Sequence, residues 1–347
     1  MNELGAQLRA WYEAHKRDLP WRHTRDPYRI WLSETILQQT RVQQGRAYYD
    51  RFLAAFPTIA DLAAAPADEV MKCWQGLGYY SRARNLHAAA REVVSRFGGI
   101  FPADYQEVRS LPGIGDYTAA AVCSFAYDQP RAVVDGNVFR VYARLFDIDL
   151  PIDSAAGRKA FFALADELLD RRDPAQYNQA VMEFGALHCL PAKPACPTCP
   201  LSGRCLALAA GTHLQRPVKR PKKEARDRWL HYFDLRCGPE TVLHRRSAGD
   251  IWQGLYEFPL LETASATGFE ALPLDEVLQD VSFTYLGSRT MPPHKLSHQT
   301  LHACFHRLEV DRLPLRTGDS IVPRDALGDY AVPRLLDRYL SEEAALF

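Results

Sequence analysis

No stretch of the 347-residue chain reaches the roughly 18–20 consecutive apolar residues that a membrane helix needs. The first residues, Met1 to Trp11, also lack the charged-then-apolar order of a secretion signal. The expected compartment is therefore a reducing cytosol. Net charge is missing as well: 42 Lys and Arg balance 42 Asp and Glu, so charge alone predicts no partner. The 20 glycines and 23 prolines follow no period, which excludes collagen-like and low-complexity chains. What remains is ordinary globular composition, 47% hydrophobic and 24% charged, on a length suited to two or three domains.

The neutral total conceals an asymmetry. Residues 1–211 carry 24 basic and 23 acidic side chains, residues 212–228 carry 7 and 2, and residues 229–347 carry 11 and 17. Two domains joined by a basic linker over 212–228 are expected. The first block reads as almost wholly helical. Leu4, Leu8, Trp11 and Tyr12 form a helical stripe, and Asp26-Pro27 has the form of an N-cap followed by proline, opening a helix over 28–39. Ser81 to Phe97 ends at Gly98-Gly99, and further helices are expected near 43–55, 116–127, 137–146, 154–170 and 174–188. After Trp229 alternation takes over, with strands expected at 229–236, 241–246, 281–286 and 301–310 and helices near 273–280 and 332–344. The second block is thus an α+β domain. The linker, with its prolines and bases, reads equally as a solvated connector or as a segment lying near phosphates.

Four of the eight cysteines, Cys189, Cys196, Cys199 and Cys205, fall within seventeen residues, interleaved with Pro191, Pro194, Pro197 and Pro200. In a cytosolic protein such a cluster points to a metal or an iron–sulfur centre rather than to disulfides. Structural zinc favours paired short gaps. Here only one gap is short, and spacing alone leaves zinc open.

Three further segments carry chemistry. In Leu111-Pro112-Gly113-Ile114-Gly115-Asp116-Tyr117-Thr118-Ala119 two glycines precede a helix, permit a tight turn and expose N–H groups to an anion such as a DNA phosphate. A plain helix–turn–helix connection has the same appearance. Glu34, mid-helix among apolar and amide neighbours, is expected to be partly buried with a raised pKa. Asp135, in Val133-Val134-Asp135-Gly136-Asn137-Val138, has the form of an N-cap, yet with Glu34 it also completes the acid and stabiliser pair of a glycosidase.

Glu34 in SETILQQT, the LPGIGDYTA hairpin, VDGNVFRV and the four-cysteine loop, in this order, resemble the helix-hairpin-helix DNA glycosylases that carry a [4Fe-4S] cluster. The resemblance runs from about Arg17 to Cys205 and more weakly beyond, and is strongest to their adenine-removing (MutY) branch. It implies an all-α glycosylase core over 1–211: a six-helix barrel with the hairpin at 111–119, and a cluster subdomain built from the N-terminal helix and about 136–211. It also implies a C-terminal Nudix-like domain over 229–347. By the same resemblance Cys189, Cys196, Cys199 and Cys205 hold [4Fe-4S]. Glu34 is the general acid, Asp135 stabilises the sugar cation, and Tyr117 and Asn137 position these groups. Leu19, Trp21, Arg22, Leu37 and Gln179 line an adenine pocket, although Trp21 and Leu37 also suit plain core packing.

Gln39, Thr40, Leu77 and Tyr79 match the family's wedge around the orphaned base, with Tyr79 as an intercalating ring, and Gly113 and Gly115 grip phosphate. Ser297 and His298 align with a loop that reads 8-oxoguanine, with Leu296 standing where the family carries Phe. No Nudix box follows Gly254-Leu255-Tyr256-Glu257-Phe258-Pro259, so this domain is expected to read the oxidised base and not to hydrolyse pyrophosphate.

The function implied is a monofunctional hydrolase of base excision repair. It removes adenine opposite 8-oxoguanine or guanine in double-stranded DNA and acts as a monomer in a bacterial cytoplasm, on the nucleoid. In the sister endonuclease III group a lysine follows the hairpin and attacks the sugar. Tyr117 occupies that position here, and a phenol forms no imine. A glycosylase/lyase for damaged pyrimidines and a catalytically silent iron–sulfur DNA binder are the competing readings. Tyr117 opposes the first, and the presence of both Glu34 and Asp135 opposes the second.

Overall fold

Residues 3–221 and 224–344 are described by a computed structural model. Among the described residues twelve α-helices precede the first strand: α1 Glu3–His15, α2 Pro27–Leu37, α3 Val42–Ala55, α4 Ile59–Ala64, α5 Ala67–Trp74, α6 Ser81–Phe97, α7 Tyr105–Ser110, α8 Asp116–Tyr127, α9 Gly136–Leu145, α10 Ala155–Leu168, α11 Pro174–Leu187 and α12 Leu206–Ala209. Eight strands follow, β1 Arg226–Arg236, β2 Glu240–Arg245, β3 Tyr256–Glu257, β4 Leu260–Thr263, β5 Phe283–Thr290, β6 His294–Lys295, β7 Gln299–Val310 and β8 Asp319–Pro323, with α13 Asp275–Leu278 and α14 Arg334–Ala344. The chain divides into two compact units. One comprises Met1–Ala64 and Ala88–Pro221, the other Ala65–His87 and Lys222–Phe347.

In the first unit α2 and α8 are the buried helices. Every residue of α8 from Thr118 to Ala126 is buried, and α2 is buried from Ile30 to Ile36. A helix apolar on all sides belongs in the interior, and small residues such as Ala119, Ala120 and Ala121 let neighbours approach. Asp26 caps α2 by accepting Tyr28 N–H, with Pro27 in the first turn, as the sequence suggests. A second core joins Leu8 and Trp11 of α1 with Val138 and Val141 of α9, Phe161 of α10 and Phe184 of α11. Cys189, Cys199 and Cys205 pack against it.

The stretch assigned to a linker, 212–228, is held to the helical unit at its amino-terminal part, and residues 219–221 and 224–227 are exposed. Thr212 Oγ1 donates to Asp147 at 2.6 Å, Ile152 N–H to the Val218 carbonyl at 3.0 Å, and Arg220 N–H to Asp153 at 3.1 Å. Residues 226–228 already belong to β1, where Arg228 is buried and ion-paired with Asp250 and Glu262. Of its bases, Arg216 pairs with Asp147 and Arg228 with Asp250 and Glu262, whereas Lys219, Arg220 and Arg226 are exposed as a connector's would be.

In the second unit one sheet runs β4-β1-β7-β5, with β6 beside β7, and another runs β3-β2-β8. β1 and β7 pair in parallel; the other pairings are antiparallel. After β4 the chain forms only single turns, Phe269–Ala271 and Asp275–Leu278, before β5.

Candidate active site

Glu34 lies on the last turns of α2 and Tyr117 on the first turn of α8. Packing these two buried helices brings the side chains together: Tyr117 Oη donates to Glu34 Oε2 at 2.5 Å. Burial pushes the Glu34 carboxyl up to about 7, with the charge of Asp135 adding and the Tyr117 hydroxyl and Arg22 opposing. Burial beside Glu34 and Asp135 also raises Tyr117, which stays a neutral phenol. Asp135 is the N-cap of α9, as its pattern suggests. Its Oδ1 accepts Asn137 N–H at 2.9 Å and Val138 N–H at 2.8 Å, and its Oδ2 accepts the Asn137 side-chain amide at 2.6 Å. Burial raises this carboxyl too, but its three donors favour the ionised form, where Glu34 has one. Two buried acids that differ in their hydrogen-bond donors are an arrangement that can separate proton donor from anion.

Both acids open onto a cleft of about 1450 Å³ in the first unit. Leu19, Trp21, Arg22, Leu37 and Gln179 line it, as do Gln39, Thr40, Tyr117 and Asn137. Leu19 and Trp21 are also buried, and Trp21 packs edge-on against Tyr49, so pocket wall and core are the same surface here. Several lining residues escaped the sequence reading. Met182, Glu183 and Ala186 follow Gln179 at three, four and seven residues, one face of α11, and that spacing was the available signal. Glu183 is buried and takes both Arg17 and Arg22. Burial alone would raise it, yet the two guanidiniums hold it down to about 2. Arg22 also donates to Gln179 at 2.9 Å, which fixes its head at the cleft wall.

Residues 32–159 match the model of the HhH-GPD superfamily of base excision DNA repair proteins, and residues 231–342 match that of the NUDIX domain. An adenine DNA glycosylase of Buchnera aphidicola subsp. Baizongia pistaciae is 35% identical over 251 residues, covering 72% of this chain and 71% of that protein. The chain belongs to the adenine DNA glycosylase family. The rat adenine DNA glycosylase is 44% identical over 209 residues, which span 58% of this chain and 40% of the rat protein. The chain therefore covers well under half of that relative's length. Among solved structures a thermostable thymine-DNA glycosylase, 32% identical, superposes with a TM-score of 0.56 over 60% of this chain and 95% of its own. The helical unit thus has the HhH-GPD fold of this family.

The hairpin that joins α7 to α8 uses its two glycines differently. Gly113 takes a left-handed φ of 74°, whereas Gly115 is extended at φ −92° and caps α8 without a side chain. Only Gly113 needs its conformational freedom. At Gly115 the missing side chain leaves open space before the helix N-terminus.

The cysteine loop, shaped by two short turns at Cys196–Thr198 and Ser202–Arg204, folds back on α9. Burial pushes Cys199 up to about 11, and the other three thiols add to that rise, so the four side chains feel one another. Among the described residues no three His, Cys, Asp or Glu side chains converge tightly enough for a single metal ion. A donor set of four thiols fits an iron–sulfur cluster, which Cys189, Cys196, Cys199 and Cys205 would hold. Two arginines of α9 bind this loop. Arg140 donates to the Cys189 carbonyl at 2.7 Å, the Gly185 carbonyl at 2.7 Å and Asn137 Oδ1 at 2.8 Å. Arg144 donates to the carbonyls of Leu190 and Pro191, both at 2.7 Å. Gly185 permits the close approach of α11 to α9, since a Cβ there would stand 2.7 Å from Asn137 Cβ.

In the second unit Tyr79 is 47% exposed, and its hydroxyl lies 3.0 Å from Ser297 Oγ. Tyr79 in this unit and Gln39 in the first, both matched to the family's wedge, have left-handed backbone, φ 48° and 58°. That conformation is uncommon without glycine and concentrates at functional positions. Leu77 is buried rather than presented. His298 is exposed. The Arg82 guanidinium lies over the rings of Trp74 and Tyr79, and Arg84 donates to the Gln253 carbonyl at 2.7 Å.

Proposed function

We propose that this protein is a monofunctional DNA glycosylase that removes adenine opposite 8-oxoguanine or guanine in double-stranded DNA and leaves an abasic site. The observation that carries the reading is the Tyr117–Glu34 pair beside a capped Asp135, at the wall of one cleft. Adenine must leave the duplex stack to reach these groups. Glu34, poised at about 7, protonates N7 of the flipped adenine, which turns a poor leaving group into a good one. Departure leaves an oxocarbenium-like sugar. Asp135, held by its three donors, stabilises that cation. Glu34, now ionised, accepts a proton from the incoming water. Tyr117 keeps its proton throughout and orients Glu34.

None of the described cleft-lining side chains is a lysine, which supports hydrolysis over imine chemistry. The hairpin at Gly113 and Gly115 suits a phosphate of the DNA backbone. Tyr79 fills the gap left by the flipped base, and Ser297 accepts a hydrogen bond from the N7–H that only the oxidised guanine carries. Gln39 and Thr40, at the cleft of the first unit, contact the DNA beside the flipped adenine. Cys189, Cys196, Cys199 and Cys205 would hold a [4Fe-4S] cluster, whose iron–sulfur bonds would order the loop against α9. The test is single-turnover cleavage of a labelled duplex carrying adenine opposite 8-oxoguanine, each sample split with and without hot alkali. Breakage only after alkali is expected. Breakage without alkali refutes the monofunctional reading, and no breakage with DNA still bound refutes the glycosylase itself.

A further inference from the structure

The segment that delivers Asp135 is not part of a helix or sheet. Residues 129–135 connect α8 to α9 without regular secondary structure, turning where Arg131 N–H meets the Gln129 carbonyl and extended at Asp135, and Val133 and Val134 are buried. Buried backbone outside helix and sheet must find hydrogen-bond partners. Here one side chain from α11 supplies them. Asn178, 3% exposed, accepts Val133 N–H at 3.1 Å through Oδ1 and donates from Nδ2 to the Arg131 carbonyl at 2.8 Å. An N–H and a carbonyl two residues apart on one edge of an extended chain are what a neighbouring strand would pair with. The amide of Asn178 stands in for that strand. Its remaining N–H donates to Ser124 Oγ of α8 at 2.9 Å, so the amide's two donors and its acceptor oxygen are all engaged.

Each element this amide touches carries a residue of the cleft. α8 carries Tyr117 on its first turn, the connecting segment ends at Asp135, and the next residue of α11 is Gln179. Asn178 itself is not among the cleft-lining residues. We infer that Asn178 is a positioning residue for the excision reaction, locking the segment before Asp135 to the helix that carries Tyr117. The inference rests on the proposed function. An apolar residue of similar size would leave a buried N–H and carbonyl unpaired, and the relaxed segment would carry the Asp135 carboxylate away from its place.

The test compares the intact protein with Asn178→Ala and with Ser124→Ala, which removes a single bond of the three. Hydrogen–deuterium exchange is followed in the peptide covering 131–140, which contains the Asn137 and Val138 amides bound to Asp135. Adenine release is measured under single-turnover conditions across pH. Affinity is measured on a duplex with a 2′-fluorinated adenosine, whose fluorine disfavours the sugar cation. Exchange over 131–140 should quicken in both variants and more in Asn178→Ala. Release should slow roughly 10–100-fold in Asn178→Ala, as for small displacements of reacting groups, while affinity holds within about twofold. The alkaline midpoint of the rate should fall, because Asp135 helps raise Glu34 and would have moved off. Native exchange over 131–140 overturns the clamp. So does a slower rate explained wholly by lost folded protein with an unmoved midpoint. If Asn178→Ala does not fold, Ser124→Ala decides on the same readouts. A parent protein that releases no adenine removes the proposed function and this inference with it, whereas an active parent with unaltered variants removes the inference alone.

Discussion

Glu34→Gln separates catalysis from stability in opposite directions. A carboxyl whose native pKa is about 7, against 4.5 in the unfolded chain, binds its proton more tightly when folded. Below about pH 4.5 both states are protonated and nothing is lost. As pH rises from there to about 7, the unfolded chain releases a proton that the native protein retains, and stability falls. The gap between 4.5 and about 7, at about 1.4 kcal/mol per pH unit, comes to about 3 kcal/mol lost above neutrality. Glutamine keeps the shape and still accepts the Tyr117 hydroxyl, but it carries no charge to desolvate. The variant should therefore be more stable than the parent at pH 8, by as much as about 3 kcal/mol, and close to it at pH 4.5. It should bind mispaired duplex yet release no adenine. Urea unfolding of the helical unit at the two pH values measures the gap. An equal difference at both, or a variant less stable at pH 8, refutes the claim that Glu34 is held against its own desolvation. Full adenine release by the variant refutes its role as the acid.

Other expectations follow from the same site and from the second unit. Tyr117→Phe removes a hydrogen bond that lowers Glu34, so the alkaline midpoint of single-turnover release should rise by about one to two pH units, the worth of a bond to a charged group. An unmoved midpoint would mean that the hydroxyl is not felt by Glu34. In the second unit His231 and His306 stack at 5.3 Å with Nδ1 and Nε2 3.0 Å apart, and His306 meets Ser288 at its other nitrogen. Burial pushes His306 down to about 4, with His231 adding, and lowers His231 as well. Their native pKa values lie below the unfolded value near 6.5, so the unfolded chain alone takes up protons as pH falls from about 6.5 to 4. The strand-rich unit should lose about 3 kcal/mol over that window through His306 alone. Hydrogen exchange in β1 and β7 checks it, and protection that stays flat from pH 7 to 4 would contradict it.

What was legible in the sequence was local or periodic. Asp26-Pro27 announces the start of α2 because an N-cap and its proline are neighbours in the chain, and Asp135 announces α9 for the same reason. Glu34, Tyr117 and Asp135 could be named singly from their motifs, but their contact could not be derived from spacing, because it comes from packing α2 against α8. Arg140, Glu183 and Asn178 passed unremarked, since an arginine or an amide on a helix is usually solvated and its importance lies in partners elsewhere. The basic run at 212–228 was legible as charge, but composition does not say which base is paired: Arg216 meets Asp147, in a turn far upstream, while Lys219, Arg220 and Arg226 are exposed. Burial of Leu77 beside an exposed Tyr79 likewise depends on packing that no local pattern encodes.

The second unit contains a length of chain, residues 65–87, borrowed from the amino-terminal half. Gln75 donates to Asp337 at 3.0 Å, Arg245 and Tyr256 both bind Asp68, and Lys72 reaches the carbonyls of Gly328 and Tyr330. A gene cut after residue 221 would consequently not yield a finished amino-terminal protein. It would release a molecule whose residues 65–87 face water with their partners deleted, Tyr79 among them. Nicking the peptide chain near 222 is a different operation, because it leaves every one of those bonds in place. Truncation and proteolysis at the same position should thus give products of unlike behaviour, and the borders of this protein's functional modules should be drawn by contact rather than by chain order.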